Sequence, residues 1–102
     1  MGEIAVPPES SAFVQFRSKG RLTGFSGCNW LFAEYQADDM GQIFVGPVAA
    51  TRQACAESVM ERERALAAAL ENARSYHRRK TELALFDAEA KPVLEMRQTD
   101  WD

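Results

Sequence analysis

The stretch Gly20–Tyr35, GRLTGFSGCNWLFAEY, decides how the rest of the chain is read. It holds three of the six glycines, one of the two cysteines and one of the two tryptophans. Arg21 to Phe25 reads as a strand. Gly24 and Gly27 bracket Phe25 and Ser26, and glycines so placed mark a bulge or a close crossing of backbones. Asn29 to Gln36 is the next strand, with Leu31, Ala33 and Tyr35 on one face and Trp30, Phe32 and Glu34 on the other. A second stretch, Gly46–Cys55, GPVAATRQAC, answers the first with the other cysteine.

Upstream, Ala12 to Arg17 alternates in the same way, placing Ala12, Val14 and Phe16 opposite Phe13, Gln15 and Arg17. Ser18-Lys19-Gly20 then predicts a three-residue hairpin loop, with Gly20 free to take a positive φ. Ile4 and Val6 read as the end of an edge strand, stopped by Pro7 and Pro8 because proline cannot donate to a ladder. Downstream, Ala37 to Gly41 is a turn cluster and Gln42 to Val45 a short strand ended by Gly46-Pro47. Val48 to Cys55 has no clean period and is expected to be an ordered connection.

A helix is expected near 57–72. Ser58 and Glu61 have the spacing of a capping box. Val59, Leu66, Leu70 and Ala73, with Met60 and Ala67 beside them, form an amphipathic stripe. Tyr76–Arg79, Glu82–Phe86 and Val93–Arg97 complete the strands. The fold class is therefore α+β: six or seven short antiparallel strands and one helix. The chain is one domain over 1–102, with a core at about 12–97 and less ordered ends at 1–11 and 98–102.

Bulk properties exclude several classes. The 102 residues carry a net charge of −3, and 26% are charged, so a nucleic-acid partner is not expected. No apolar run approaches the ~18 residues of a membrane span. MGEIAVPPESS has neither the charged nor the apolar region of a signal peptide.

The two glycine- and cysteine-bearing stretches together resemble the META domain, the family of the bacterial heat-shock protein HslJ. Its pattern runs roughly Gly-x-x-x-Gly-x-x-Gly-Cys-Asn, then Thr-Arg-x-x-Cys, then a helix and two strands. The likeness covers about residues 12–97 and is strongest over 20–71. It implies a curved, partly closed β-barrel with the helix packed on it. It also implies a non-enzymatic envelope or stress-associated protein that binds another protein or an apolar ligand. Members are linked to heat stress and novobiocin resistance, many as lipoproteins, and the fold looks similar to secretin pilotins. The implied location is the bacterial envelope or periplasm, with the cytoplasm as the alternative. Membrane association is expected only through a lipoprotein anchor that this chain does not contain, and the protein is expected to be a monomer or weak dimer. The family's apolar, Trp-containing upstream strand is missing or only partly present here. The bared edge is then expected to be covered by the segment around Ile4 or by a second copy.

The chemistry-bearing residues are few. Cys28 and Cys55 fit a disulfide, two inert thiols or a reactive thiol, and their spacing does not choose among these. A disulfide is the favoured reading. It would join the end of the glycine-rich turn to the residue region before the helix and close a loop of about 27 residues. A thiol-dependent enzyme or redox sensor, with His77 as base, is the competing function. No cofactor, metal site or catalytic residue is expected: two cysteines and one histidine lack metal-ligand spacing.

Asn29, Trp30, Thr51 and Arg52 are the candidate interaction residues. Asn29 and Thr51 are expected to bind local backbone, as such side chains do in turns. Arg52 suits an anion, but a structural ion pair with Glu34, Glu57 or Glu61 is the favoured reading. Phe13, Phe16, Phe25, Trp30, Phe32 and Phe44 are expected in the core. Trp30 stands where the family has a polar residue, so an exposed Trp30 would mark a contact surface. Ala33 replaces a common glycine. Arg74, Arg78, Arg79 and Lys80 form a basic, solvated face.

Overall fold

The alternating segment after Ala12 forms the strand it predicts, in a computed structural model that describes residues 3–5 and 12–98. The elements run β1 (Glu3–Ala5), β2 (Phe13–Arg17), β3 (Arg21–Phe25), β4 (Trp30–Ala37), β5 (Ile43–Val45), β6 (Ala49–Ala50), α1 (Glu57–Asn72), β7 (Ser75–Arg79), β8 (Glu82–Phe86) and β9 (Pro92–Gln98). The nine strands exceed the six or seven expected, because Glu3–Ala5 and the two residues Ala49–Ala50 also join ladders.

Every pairing is antiparallel, in the order β5-β4-β3-β2-β1-β9-β8-β7, with β6 also on β4. The fold class is α+β as read. Among the described residues no sheet is closed into a barrel, so the partly closed barrel that the family resemblance implied is not what the strands form. The two end strands meet only at the single bridge Gln42–Ser75. Two backbone bonds flank it: Ile43 N–H donates to Arg74 O at 3.0 Å, and Tyr76 N–H donates to Gly41 O at 2.8 Å.

β1 corrects the N-terminal reading. It is not an edge: it lies between β2 and β9, with Ala5 opposite both Phe13 and Arg97. The expected cover from the segment around Ile4 is thus what the ladder contains. Val6, Pro7, Pro8 and Trp101, and the less ordered ends expected at 1–2, 6–11 and 99–102, lie outside the described residues.

The hairpin between β2 and β3 turns through Lys19 and Gly20, at φ 64° and 72°. A Cβ on Gly20 would stand 2.7 Å from Tyr35 O, so glycine is needed both for the turn and for the approach of β4. Gly24 makes no bulge: its ladder is regular on both sides. It marks a close crossing instead, since a Cβ there would meet Phe13 O at 2.9 Å.

The inner face and the helix make one core. Val14, Phe16, Leu22, Leu31, Ile43 and Val45 from one half of the sheet meet Leu83, Leu85 and Met96 from the other. Leu66, Leu70 and Ala73 of the helical stripe pack among them. The capping box does not form: the N-cap is Ala56, with no side-chain bond to the first turn. At the other end Arg74 donates to Glu71 O and Ala73 O, where a cation complements the helix dipole.

Alternation decides which aromatics are inside, and it overturns the expectation for most of them. Phe16 is buried among the core residues. Phe13 and Phe25, of opposite parity, are half-buried, and Trp30, Phe32 and Phe44 are exposed. Phe44 lies under the Arg74 guanidinium, 5.1 Å from its carbon.

Candidate functional site

The glycine-rich turn ends in two buried polar residues, Ser26 and Asn29. Burial of an amide without partners is costly, so its bonds must be accounted for. Asn29, 1% exposed, uses its full capacity. Nδ2 donates to Gln53 O at 3.1 Å and to Glu63 Oε1 at 2.9 Å. Oδ1 accepts from Gln53 N–H at 2.7 Å and from the Thr51 hydroxyl at 3.0 Å. Ser26 Oγ donates to the same Glu63 oxygen at 2.7 Å and accepts from Asn29 N–H at 3.0 Å. Thr51 Oγ1 accepts from Trp30 N–H at 3.0 Å, and Thr51 N–H donates to Trp30 O at 3.0 Å.

These bonds change the reading of the two motifs. Asn29 and Thr51 do bind backbone, but across the chain rather than locally as expected: they clasp the turn to the 51–53 segment and, through Glu63, to α1. The Cys28–Cys55 disulfide closes the same clasp, with Cα atoms 6.1 Å apart across a separation of 27 residues. Cys28 is buried and Cys55 exposed. Among the described residues no buried side-chain nitrogen or oxygen lacks a partner. Also among them, no group of three or more His, Cys, Asp or Glu side chains is placed to hold a metal.

Arg52 departs from its expected role. Glu57 is paired with Arg64 at 2.9 Å, and no ion pair to Arg52 exists among the described residues. Its exposed guanidinium stands at the rim of an open cleft of about 540 Å³ that Thr51, Met60 and Glu63 also line. His77 sits exposed on β7 opposite Ala84, and both cysteine sulfurs are spent in the disulfide, so the thiol–base pair of the competing reading is not assembled.

Above the clasp the sheet carries an aromatic surface. Phe13, Phe25 and Trp30 are register neighbours on three adjacent strands. Their rings contact one another, Phe13 edge-on to Trp30 at 6.0 Å and Phe25 tilted against Trp30 at 5.0 Å. Phe32 follows two residues on, on the same face as Trp30. Trp30 is 48% and Phe32 47% exposed. Of the candidate residues, then, Asn29 and Thr51 hold the support, Trp30 stands on the surface it presents, and Arg52 lines the cleft beside α1. Phe13, Phe25, Phe32, Ser26, Gln53 and Glu63 were not among the candidates. For the three phenylalanines the signal was strand parity, shared with the polar Gln15, Arg17 and Glu34. Nothing in the local sequence pairs Glu63 with Asn29.

The META domain family model matches residues 2–100. The chain belongs to the META domain family. No match is found among curated proteins. Solved structures share the fold of this META domain. A DUF4847 family protein from Bacteroides vulgatus is 18% identical with a TM-score of 0.68, over 89% of this chain and 61% of that one. The META domain thus spans less than two thirds of that protein's length. A protein solved by NMR is 18% identical with a TM-score of 0.73, over 97% of this chain and 90% of its own. Another NMR structure, of a protein from Burkholderia xenovorans, is 24% identical with a TM-score of 0.69, over 94% of this chain and 72% of that one. At these identities the likeness speaks for the fold of the META domain. No helix among the described residues is long and apolar enough to cross a membrane.

Proposed function

We propose that this META domain is a non-enzymatic binding module of the bacterial cell envelope that engages another protein or an apolar ligand through its outer aromatic face. The observation that carries the reading is the exposure of Trp30 and Phe32 beside Phe13 and Phe25 on one sheet face. Large aromatic side chains left in water cost free energy that a partner recovers, and such anchors dominate interfaces. The clasp beneath gives the face a rigid base: Asn29 and Thr51 fix the backbone of Trp30.

The envelope setting rests on the disulfide, a bond that persists in oxidising compartments. A role in stress response, as in HslJ, belongs to the same proposal. So does a chain acting as monomer or weak dimer without a cofactor. The thiol-dependent alternative has no observation in its favour.

A photo-crosslinking residue at position 32, compared with one at position 79 on β7, tests the reading in envelope preparations. A discrete adduct at 32 that disappears with Trp30→Ser is the expected result. Adducts of equal yield at both positions would refute a specific surface. His77→Ala should leave the adduct unchanged, and its loss with the fold intact would revive catalysis.

A further inference from the structure

The same outer face carries a second feature. Along β2, β3 and β4 the ladder sets three rows: Phe13–Phe25–Trp30, then Gln15–Thr23–Phe32, then Arg17–Arg21–Glu34. Aromatic side chains occupy one end and cations the other, with Lys19 at the hairpin tip. Among the described residues none of Arg17, Lys19 and Arg21 has a carboxylate within ion-pair distance, Glu34 included. Arg17 is not free to wander. Its Nη2 donates to Gln15 Oε1 at 2.9 Å and its Nε to Thr23 Oγ1 at 3.3 Å, and Thr23 Oγ1 bonds Gln15 Oε1 at 3.2 Å. This network lays the guanidinium over the middle row and leaves its other N–H groups for an anion.

We propose that this face docks on an anionic lipid bilayer, with Trp30 and Phe32 entering the interface and Arg17, Lys19 and Arg21 meeting headgroup phosphates. The inference rests on the reading of the aromatic face as a binding surface and names its partner. Charge complementarity selects the occupant. The protein as a whole is acidic, at −3, so an anionic surface meets it where cations gather, and this face, unlike the basic stretch 74–80, joins its cations to Trp30 and Phe32 on one sheet surface. Exposed aromatic rings beside arginine and lysine on one sheet face match the layering of a bilayer interface, where Trp sits at the headgroup level and cations are drawn to anionic lipid. This gives the domain a membrane contact that needs no lipid anchor.

Vesicles of phosphatidylcholine, with and without phosphatidylglycerol, test it on the full chain carrying Trp101→Phe, so that Trp30 alone reports. A blue shift of Trp30 emission and co-sedimentation are expected with phosphatidylglycerol only, and both should weaken as salt rises. Arg17→Gln with Arg21→Gln should lower the affinity about 25-fold, at about fivefold for each cation. Trp30→Ser should lower it as well, while Arg79→Gln at the far end of the strand order should not. Equal binding to both vesicle types would overturn the proposal. So would failure to bind either vesicle by a folded protein. A crosslinked adduct at position 32 alongside that failure would keep the binding surface and assign it to a protein, and absence of both would remove the surface too.

Discussion

Asn29 Nδ2 stands 2.9 Å from Glu63 Oε1, and this contact ties the glycine-rich turn to the helix across 34 residues. Replacing Asn29 by Ala removes one partner at once from Glu63, from Thr51 and from both backbone polar groups of Gln53. The expected loss is about 2–4 kcal/mol, from several unmet polar groups at a buried site. Urea denaturation of Asn29→Ala measures it, and a loss below about 1 kcal/mol would mean water replaces the amide. With Glu63→Ala in a double-mutant cycle, the pair should couple by about 1 kcal/mol or more.

The disulfide reinforces the same junction. Closing a 27-residue loop restricts the unfolded chain by about 3–4 kcal/mol in the chain-entropy argument. Reduction, or Cys28→Ala with Cys55→Ala, should therefore lower Tm by roughly 10–20 °C, at about 4–8 °C per kcal/mol with some of the entropy recovered. The reduced protein should still fold, because Asn29 holds the 51–53 segment independently. Calorimetry with and without reductant checks both statements, and an unfolded reduced chain would show that the amide clasp cannot act alone.

The helix begins at Ala56, whose φ of −56° and ψ of 147° suit a capping side chain that alanine lacks. Ala56→Ser should stabilise the protein by about 0.5–1 kcal/mol by supplying an acceptor to the first-turn N–H groups. Thermal unfolding reads the gain. No gain would indicate that solvent already satisfies those groups at no cost.

Tyr35 supplies a pH signature. Its hydroxyl donates to Arg17 O at 2.9 Å, and burial pushes the phenol above its ordinary value of 10.0. A raised folded-state value means stability fully present below pH 10 and lost as pH climbs through the folded value. Ultraviolet titration should find one tyrosine ionising late, and Tyr35→Phe should flatten the alkaline fall in stability. An unchanged alkaline slope would place the titration elsewhere.

Periodicity made most of the fold legible. The helix lies at Glu57–Asn72, where the Leu66–Leu70 stripe puts it, and the hairpin turns at Lys19–Gly20 as the positive φ of glycine allows. Alternation also separated the two faces of β2 and β4, but hydrophobicity alone did not say which was inside, because Phe13 and Phe32 are as apolar as Phe16 and Leu31. The middle position of β1 could not be read, since a ladder between residues 5 and 97 has no local signature. Likewise Ser58 and Glu61 met the capping pattern while the chain entered the helix at Ala56, and Arg52 found no carboxylate because Glu57 turned to Arg64. The polar site was half visible: the types Asn29 and Thr51 announced themselves, whereas Glu63 joined them only through the packing of α1.

The place of β1 between β2 and β9 has a consequence for biosynthesis. During synthesis β1 waits for β9 before its second ladder can form. Until β9 emerges, β8 and β1 each show an unpaired side, and the sheet stays in two halves. A sheet in that condition exposes its bare strand edges to proteases and to self-association meanwhile. A circular permutant that splices the two ends and opens the 87–91 turn would make the short β1–β9 ladder local but set the longer β8–β9 ladder between the two ends of the new chain, and should fold more slowly than the natural order.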